Sequence, residues 1–211
     1  KFETNLLVDV DRIIDSHGQL NHNGRGRRGL GHITRSGVLM LCAAWELYIE
    51  EVMIEGVKYF IEKLDSPKSL PKAVQQEVAR HVKDSKHELK SLELAGEGWK
   101  TLYLNHANDT LKGLNTPKSG NLDPLFKRFL GVNDLSACWT LGKQTINDFV
   151  TTRGDIAHRG RDAQYVTINY LREYKTQLET TVLDVDNMLT EHLCANTPGV
   201  ERPWRRRLPG E

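Results

Sequence analysis

Ser36-Gly37-Val38-Leu39-Met40-Leu41-Cys42-Ala43-Ala44-Trp45-Glu46-Leu47-Tyr48-Ile49 is the stretch on which the fold turns. Read on with Val52, Met53, Val57, Phe60 and Ile61, it is apolar on most faces of a helix. A one-sided surface helix shows a single stripe, so a helix apolar nearly all round belongs at the centre of a bundle or in a dimer interface. Thr34 or Ser36 offers a hydroxyl to cap its start, and Ser66-Pro67 breaks the pattern, so the helix is expected to run to about Leu64.

The segments around it also repeat at helical spacing. Residues 2–21 place Phe2, Leu6, Leu7, Val10, Ile13, Ile14 and Leu20 on one helix. Pro71 fits the first turn of a polar, peripheral helix through about Leu94, with Val74, Val78, Val82 and Leu89 as a thin stripe. Further helices are expected from about Trp99 to Leu114, from Leu122 to Leu130 and from Gly142 to about His158, the last turning Ile146, Phe149, Val150 and Ile156 inward and ending at Gly160. Thr167 can cap a long final helix to Cys194, with Leu171, Tyr174, Leu178, Val182, Val185 and Leu189 inward. No segment alternates long enough for a sheet. The fold class is therefore all-α, a helical bundle over residues 1–194 with a long final helix, followed by a flexible Pro/Arg-rich C-terminal tail over 195–211.

Composition narrows the function classes. The chain of 211 residues can bury a substantial core. Its longest apolar run, Val38 to Trp45, is far short of the ~20 residues a membrane span needs. The net charge of +1 gives no general attraction to nucleic acid. Its distribution is less even: no acidic residue lies between Asp15 and Glu46, a gap that holds Arg25, Arg27, Arg28 and Arg35, and the tail adds Arg202, Arg205, Arg206 and Arg207. Each cluster reads either as a phosphate-facing patch or as a solvated loop and tail. Cys42, Cys138 and Cys194 are odd in number and lack C-x-x-C spacing, which fits a reducing cytoplasm. No signal peptide is read, and a start at Lys1-Phe2 without methionine reads as the trimmed edge of a longer protein.

Several motifs fail on context. Gly24-Arg25-Gly26-Arg27-Arg28-Gly29 matches G-x-G-x-x-G, but it follows a helix where dinucleotide binding needs a strand. The histidines and cysteines show no zinc spacing. Asp9/Asp11 and Asp184/Asp186 lie two apart on helices and point to different faces. No cofactor and no metal is expected.

Thr151-Thr152-Arg153-Gly154-Asp155-Ile156-Ala157-His158-Arg159-Gly160 is different. Arg153 and His158 lie five apart near a helix end, about 140° around the axis of a regular helix. They converge only if the arginine curls back or the helix loosens before Gly160. RNA cleavage without metal needs a base for the 2′-hydroxyl, an acid for the 5′-leaving oxygen and a cation for the phosphorane. Histidine serves the first two roles near neutral pH, and the arginine fork matches phosphate oxygens. One Arg/His pair lacks a second acid/base group, which a second copy across a two-fold axis supplies.

This segment resembles the R-x(4–6)-H signature of the HEPN superfamily, and the wider chain resembles its RiboL-PSP-type branch. The resemblance rests on Arg35-Ser36-Gly37-Val38 leading into Ala44-Trp45-Glu46-Leu47-Tyr48-Ile49, on Leu114 to Leu122 with Leu125-Phe126-Lys127, and on Arg153 to His158. It implies a compact helical domain that dimerises and a metal-independent endoribonuclease leaving 2′,3′-cyclic phosphate, with Arg153 and His158 catalytic and RNA as substrate. It also implies a toxin or antiphage-defence setting, with an antitoxin or defence partner and no membrane. Family members often carry asparagine directly after the arginine, where this chain has Gly154 and then Asp155, which either substitutes or caps. Glu46 falls where members place an acid facing the site; alternatively it is a peripheral acid. Arg159 and Arg161 either hold flanking phosphates or face solvent. The alternatives to the enzyme are a catalytically inactive HEPN dimerisation or RNA-binding module and a regulatory helical adaptor.

Overall fold

The computed structural model describes residues 1–21, 28–199 and 201–206. The basic-loop reading of His22, Arg25, Arg27 and the Arg28 side chain, and of Arg207 in the tail, lies outside the described residues. A single wide turn over Phe2–Leu6 leads into α1 (Val8–Leu20). Then come α2 (Gly31–Lys63), α3 (Lys72–Lys83), α4 (Gly98–Leu111), α5 (Ser119–Leu130), α6 (Lys143–Arg159) and α7 (Ile168–Ala195). Short 3-10 turns join several of them, and no strand occurs among the described residues.

α2 is the axis of the bundle. Its 33 residues span about 50 Å at 1.5 Å per residue, and α1, α4, α5, α6 and α7 all pack on it. That enclosure is why its sequence is apolar all round: Val38, Leu41, Cys42, Trp45, Ile49, Met53, Val57 and Phe60 are fully buried. Trp45 stacks on Tyr48 with ring centroids 5.6 Å apart and meets Trp139 edge-on. Its indole N–H donates to the Pro117 carbonyl at 3.0 Å, which pins the 112–118 loop to α2. The Tyr48 hydroxyl donates to the Asp186 carboxylate at 2.8 Å and ties α2 to α7.

The final helix begins as its sequence predicts, with the Thr167 hydroxyl accepting from the Tyr170 N–H. Ile146, Phe149, Val150 and Ile156 of α6 are buried, and Gly160 ends that helix at φ +54°, a conformation that L side chains rarely adopt. Other boundaries differ from expectation. α2 starts at Gly31, not at a Thr34 or Ser36 cap; it continues from the turn Arg28–Leu30, and the Thr34 hydroxyl donates to the Gly31 carbonyl inside the helix. α3 stops at Lys83 instead of Leu94. The Ser85 hydroxyl takes up the His87 N–H, a local bond that competes with the helix, and Leu89 beyond it is 60% exposed. α5 starts at Ser119 rather than Leu122, because the Asn147 side chain of α6 accepts from the Ser119 N–H at 3.0 Å. Gly131 closes α5 at φ +76°, where a β-carbon would come within 2.5 Å of Pro71.

The segment read as a tail returns to the body in its described part. Trp204 donates to the Asp186 carbonyl at 3.0 Å, the Tyr59 hydroxyl donates to the Glu201 carbonyl, and Arg206 pairs with Glu191 at 3.2 Å. Among the described residues no helix is long and apolar enough to cross a membrane.

Candidate functional site

α6 is buried along Ile146, Phe149 and Val150 and presents its C-terminal turns beside the first half of α2. Arg153 leans onto α2, where its Nη2 lies 3.5 Å from Glu46 Oε1. The pair is largely enclosed, with the Arg153 side chain 30% and the Glu46 side chain 18% exposed. Glu46 Oε1 is itself buried and has no hydrogen-bond partner. Burial pushes the Glu46 carboxyl above the usual range; Arg153 opposes this and the Glu50 charge adds to it. One turn earlier, burial and then the Glu46 charge push the Cys42 thiol up to about 12, so it stays protonated and is no nucleophile. Arg35 lies on the same helix face as Cys42 and Glu46 by helical spacing and is half-buried.

His158 stands apart. It is exposed, and it makes no hydrogen bond or ion pair among the described residues. α6 stays helical through Arg159, so loosening comes after His158 and the two side chains keep a separation of about 140° around the axis. Arg153 does not curl back either, being held at Glu46. The structure thus brings Arg153 and Glu46 together and leaves His158 facing outward from the same helix end.

The other candidates fall around this end. Asp155 caps the turn after α6: one carboxylate oxygen pairs with Arg159 Nε at 3.0 Å and the other accepts from the Gln164 N–H at 3.2 Å. Arg159 is exposed apart from that pair, and Arg161 is exposed on the turn Gly160–Asp162. Nothing lies within 4 Å of where a Gly154 β-carbon would sit, so no packing demands glycine there. Among the described residues, no three His, Cys, Asp or Glu side chains are grouped to hold a metal.

A second polar cluster escaped the reading of the sequence. Glu77 of α3, expected on a peripheral helix, is 5% exposed. Its Oε1 accepts from Arg128 of α5 at 2.7 Å and from His106 of α4 at 2.8 Å, and its Oε2 pairs with Arg80. Burial alone would raise its carboxyl; the hydrogen bonds from Arg128 and His106 and the charges of Arg128 and Arg80 outweigh that and hold it down at about 2. No spacing signals such a cluster, because its members come from three helices. A glutamate in register with the buried Val74 and Val78 was the one available hint.

Compared with known families, residues 5–191 match the model of the RiboL-PSP-HEPN family. Comparison with curated proteins and with solved structures gives no match.

Proposed function

The chain belongs to the RiboL-PSP-HEPN family, whose HEPN-type domains are generally ribonucleases, and on that premise we propose that it is a metal-independent endoribonuclease acting as a homodimer with a composite site. One observation carries the reading: Arg153 is held half-buried by Glu46 while His158, on the same helix end, is exposed and without a protein partner. One copy therefore presents a fixed cation and a free imidazole that do not meet, and two copies facing each other supply two of each. The surface beside Glu46 favours such a pairing. Leu39, Met40 and Leu47 of α2 are 37%, 41% and 48% exposed, large apolar side chains that a second copy would cover.

In this reading His158 of one copy takes the proton from the 2′-hydroxyl as O2′ attacks phosphorus. The second copy's His158 gives a proton to the departing 5′-oxygen, leaving a 2′,3′-cyclic phosphate and a 5′-hydroxyl. The two Arg153 guanidiniums stabilise the phosphorane, a role worth roughly 3 kcal/mol per well-placed donor. Glu46 positions Arg153, and its buried, poorly satisfied carboxylate lets the phosphate displace it. Arg159 and Arg161 reach flanking phosphates. The biological setting is a toxin or antiphage-defence system with an antitoxin or defence partner. The separation of Arg153 from His158 within one chain favours, as the second reading, a catalytically inactive HEPN module that dimerises or binds RNA. Incubation with RNA in EDTA separates the two: cleavage that persists and leaves 2′,3′-cyclic phosphate ends is expected. Loss of cleavage on chelation, or its absence with every RNA tried, would contradict the enzyme.

A further inference from the structure

The Glu77 cluster is built more elaborately than a tie between helices needs. Arg128 is fixed by Glu77 on one side and lies over the Phe129 ring at 5.4 Å. Its Nε is buried and has no acceptor. His106 is stacked on His81 with ring centroids 3.9 Å apart and planes 21° apart. These groups, with Arg80, Lys90 and Asp84, line a cleft of about 350 Å³ between α3, α4 and α5. A second cleft of about 240 Å³ adjoins it, shares Glu77, Arg80 and Arg128, and adds Lys127. Neither contains any part of the Arg153–Glu46 pair.

A buried carboxylate costs several kcal/mol to desolvate, and here it leaves two guanidiniums held in place along the wall of an open groove. The Glu77 charge is matched by Arg128 and Arg80, and Lys90 answers Asp84 and its own partner Glu93. Lys127 has no acidic partner among the described residues, and the chain beside the groove adds Lys83 and Lys86. A fixed arginine fork with an unused donor, next to imidazole edges, matches the oxygens of a phosphate group.

We propose that this groove binds backbone phosphates of an RNA strand, as an exosite separate from the Arg153 and His158 centre. Arg128 and Arg80 grip one phosphate and Lys127 the next, while Glu77 keeps both guanidiniums aligned. This inference rests on the ribonuclease reading, since RNA is the phosphate ligand it names.

The test uses the full chain and a fluorescent single-stranded 2′-O-methyl RNA, which lacks the 2′-hydroxyl and is bound without being cut. The Arg80→Ala/Lys127→Ala variant removes two mostly exposed cations and leaves Glu77 its Arg128 and His106 bonds. Its affinity is expected to fall about ten-fold, and the slope of log affinity against log salt is expected to lessen by about 1.4, at roughly 0.7 per phosphate contact. Lys127→Glu alone, which breaks no protein contact, is expected to weaken binding in the same direction. If both variants bind like wild type with the same salt slope while Arg153→Ala binds more weakly, RNA is held elsewhere. The groove is then only a structural ion network, and the ribonuclease reading stands. If wild type binds no RNA, the exosite and the ribonuclease reading fall together.

Discussion

His158→Ala is expected to lower RNA cleavage at least about 10³-fold while leaving the fold and the thermal midpoint unchanged. A positioned acid or base contributes roughly 10²–10⁴, and in a two-copy site one substitution removes both the base and the acid. The side chain is exposed and bonds to nothing else among the described residues, so its loss costs the bundle no packing. Arg153→Ala is expected to cut activity comparably by a different route. It removes the phosphorane cation and also leaves Glu46 enclosed without its counter-charge. The check is initial rates on a labelled RNA for wild type and both variants, each verified by circular dichroism. Equal cleavage by wild type and His158→Ala would remove His158 from the chemistry.

The largest effect on stability is expected at Glu77. Glu77→Ala strands Arg128 and His106 against the core and is expected to destabilise the protein by about 3–5 kcal/mol, the usual cost of breaking a buried ion pair. For a chain of this size that lowers the thermal midpoint by roughly 10 °C or more. The same group predicts a pH dependence. Its folded carboxyl titrates near 2, below its ordinary value of 4.5, so its ion pairs stabilise the native state fully above about pH 4.5. As pH falls from there towards 2 the folded state gives up this advantage, a loss of about 3 kcal/mol. Denaturant unfolding of wild type and Glu77→Gln at pH 7, 4 and 2.5 checks it. The gap between the two is expected to narrow in acid; a gap independent of pH would mean that the charge contributes nothing.

The parts of this fold legible in the sequence are those set by nearest neighbours. Thr167 announces α7 with its hydroxyl, Gly160 ends α6 with a backbone that only glycine adopts easily, and the unbroken apolar run from Val38 to Phe60 marks α2 as the enclosed axis. What stayed hidden depends on residues far along the chain. The start of α5 is fixed by Asn147, 28 positions away. The start of α2 has no capping side chain to announce it. α3 ends early because a serine turn competes with a stripe that has nothing left to cover.

The candidate site divides the same way. Arg153, His158 and Glu46 stand out by type and spacing, and the likeness to a family gathers them. The contact between Arg153 and Glu46 follows only from the packing of α6 on α2. The Glu77 cluster joins residues 29 and 51 positions apart, each unremarkable in its own segment.

Cleavage by mixed dimers tests most directly whether one site draws on two copies. Wild type and His158→Ala are co-expressed with different tags at graded ratios, and the RNA cleavage rate is measured against the wild-type fraction. A composite site needs both His158 side chains, so the rate is expected to follow the square of that fraction, with half wild type giving about a quarter of full activity. A rate linear in the wild-type fraction would show that each copy cuts alone and would contradict the shared site.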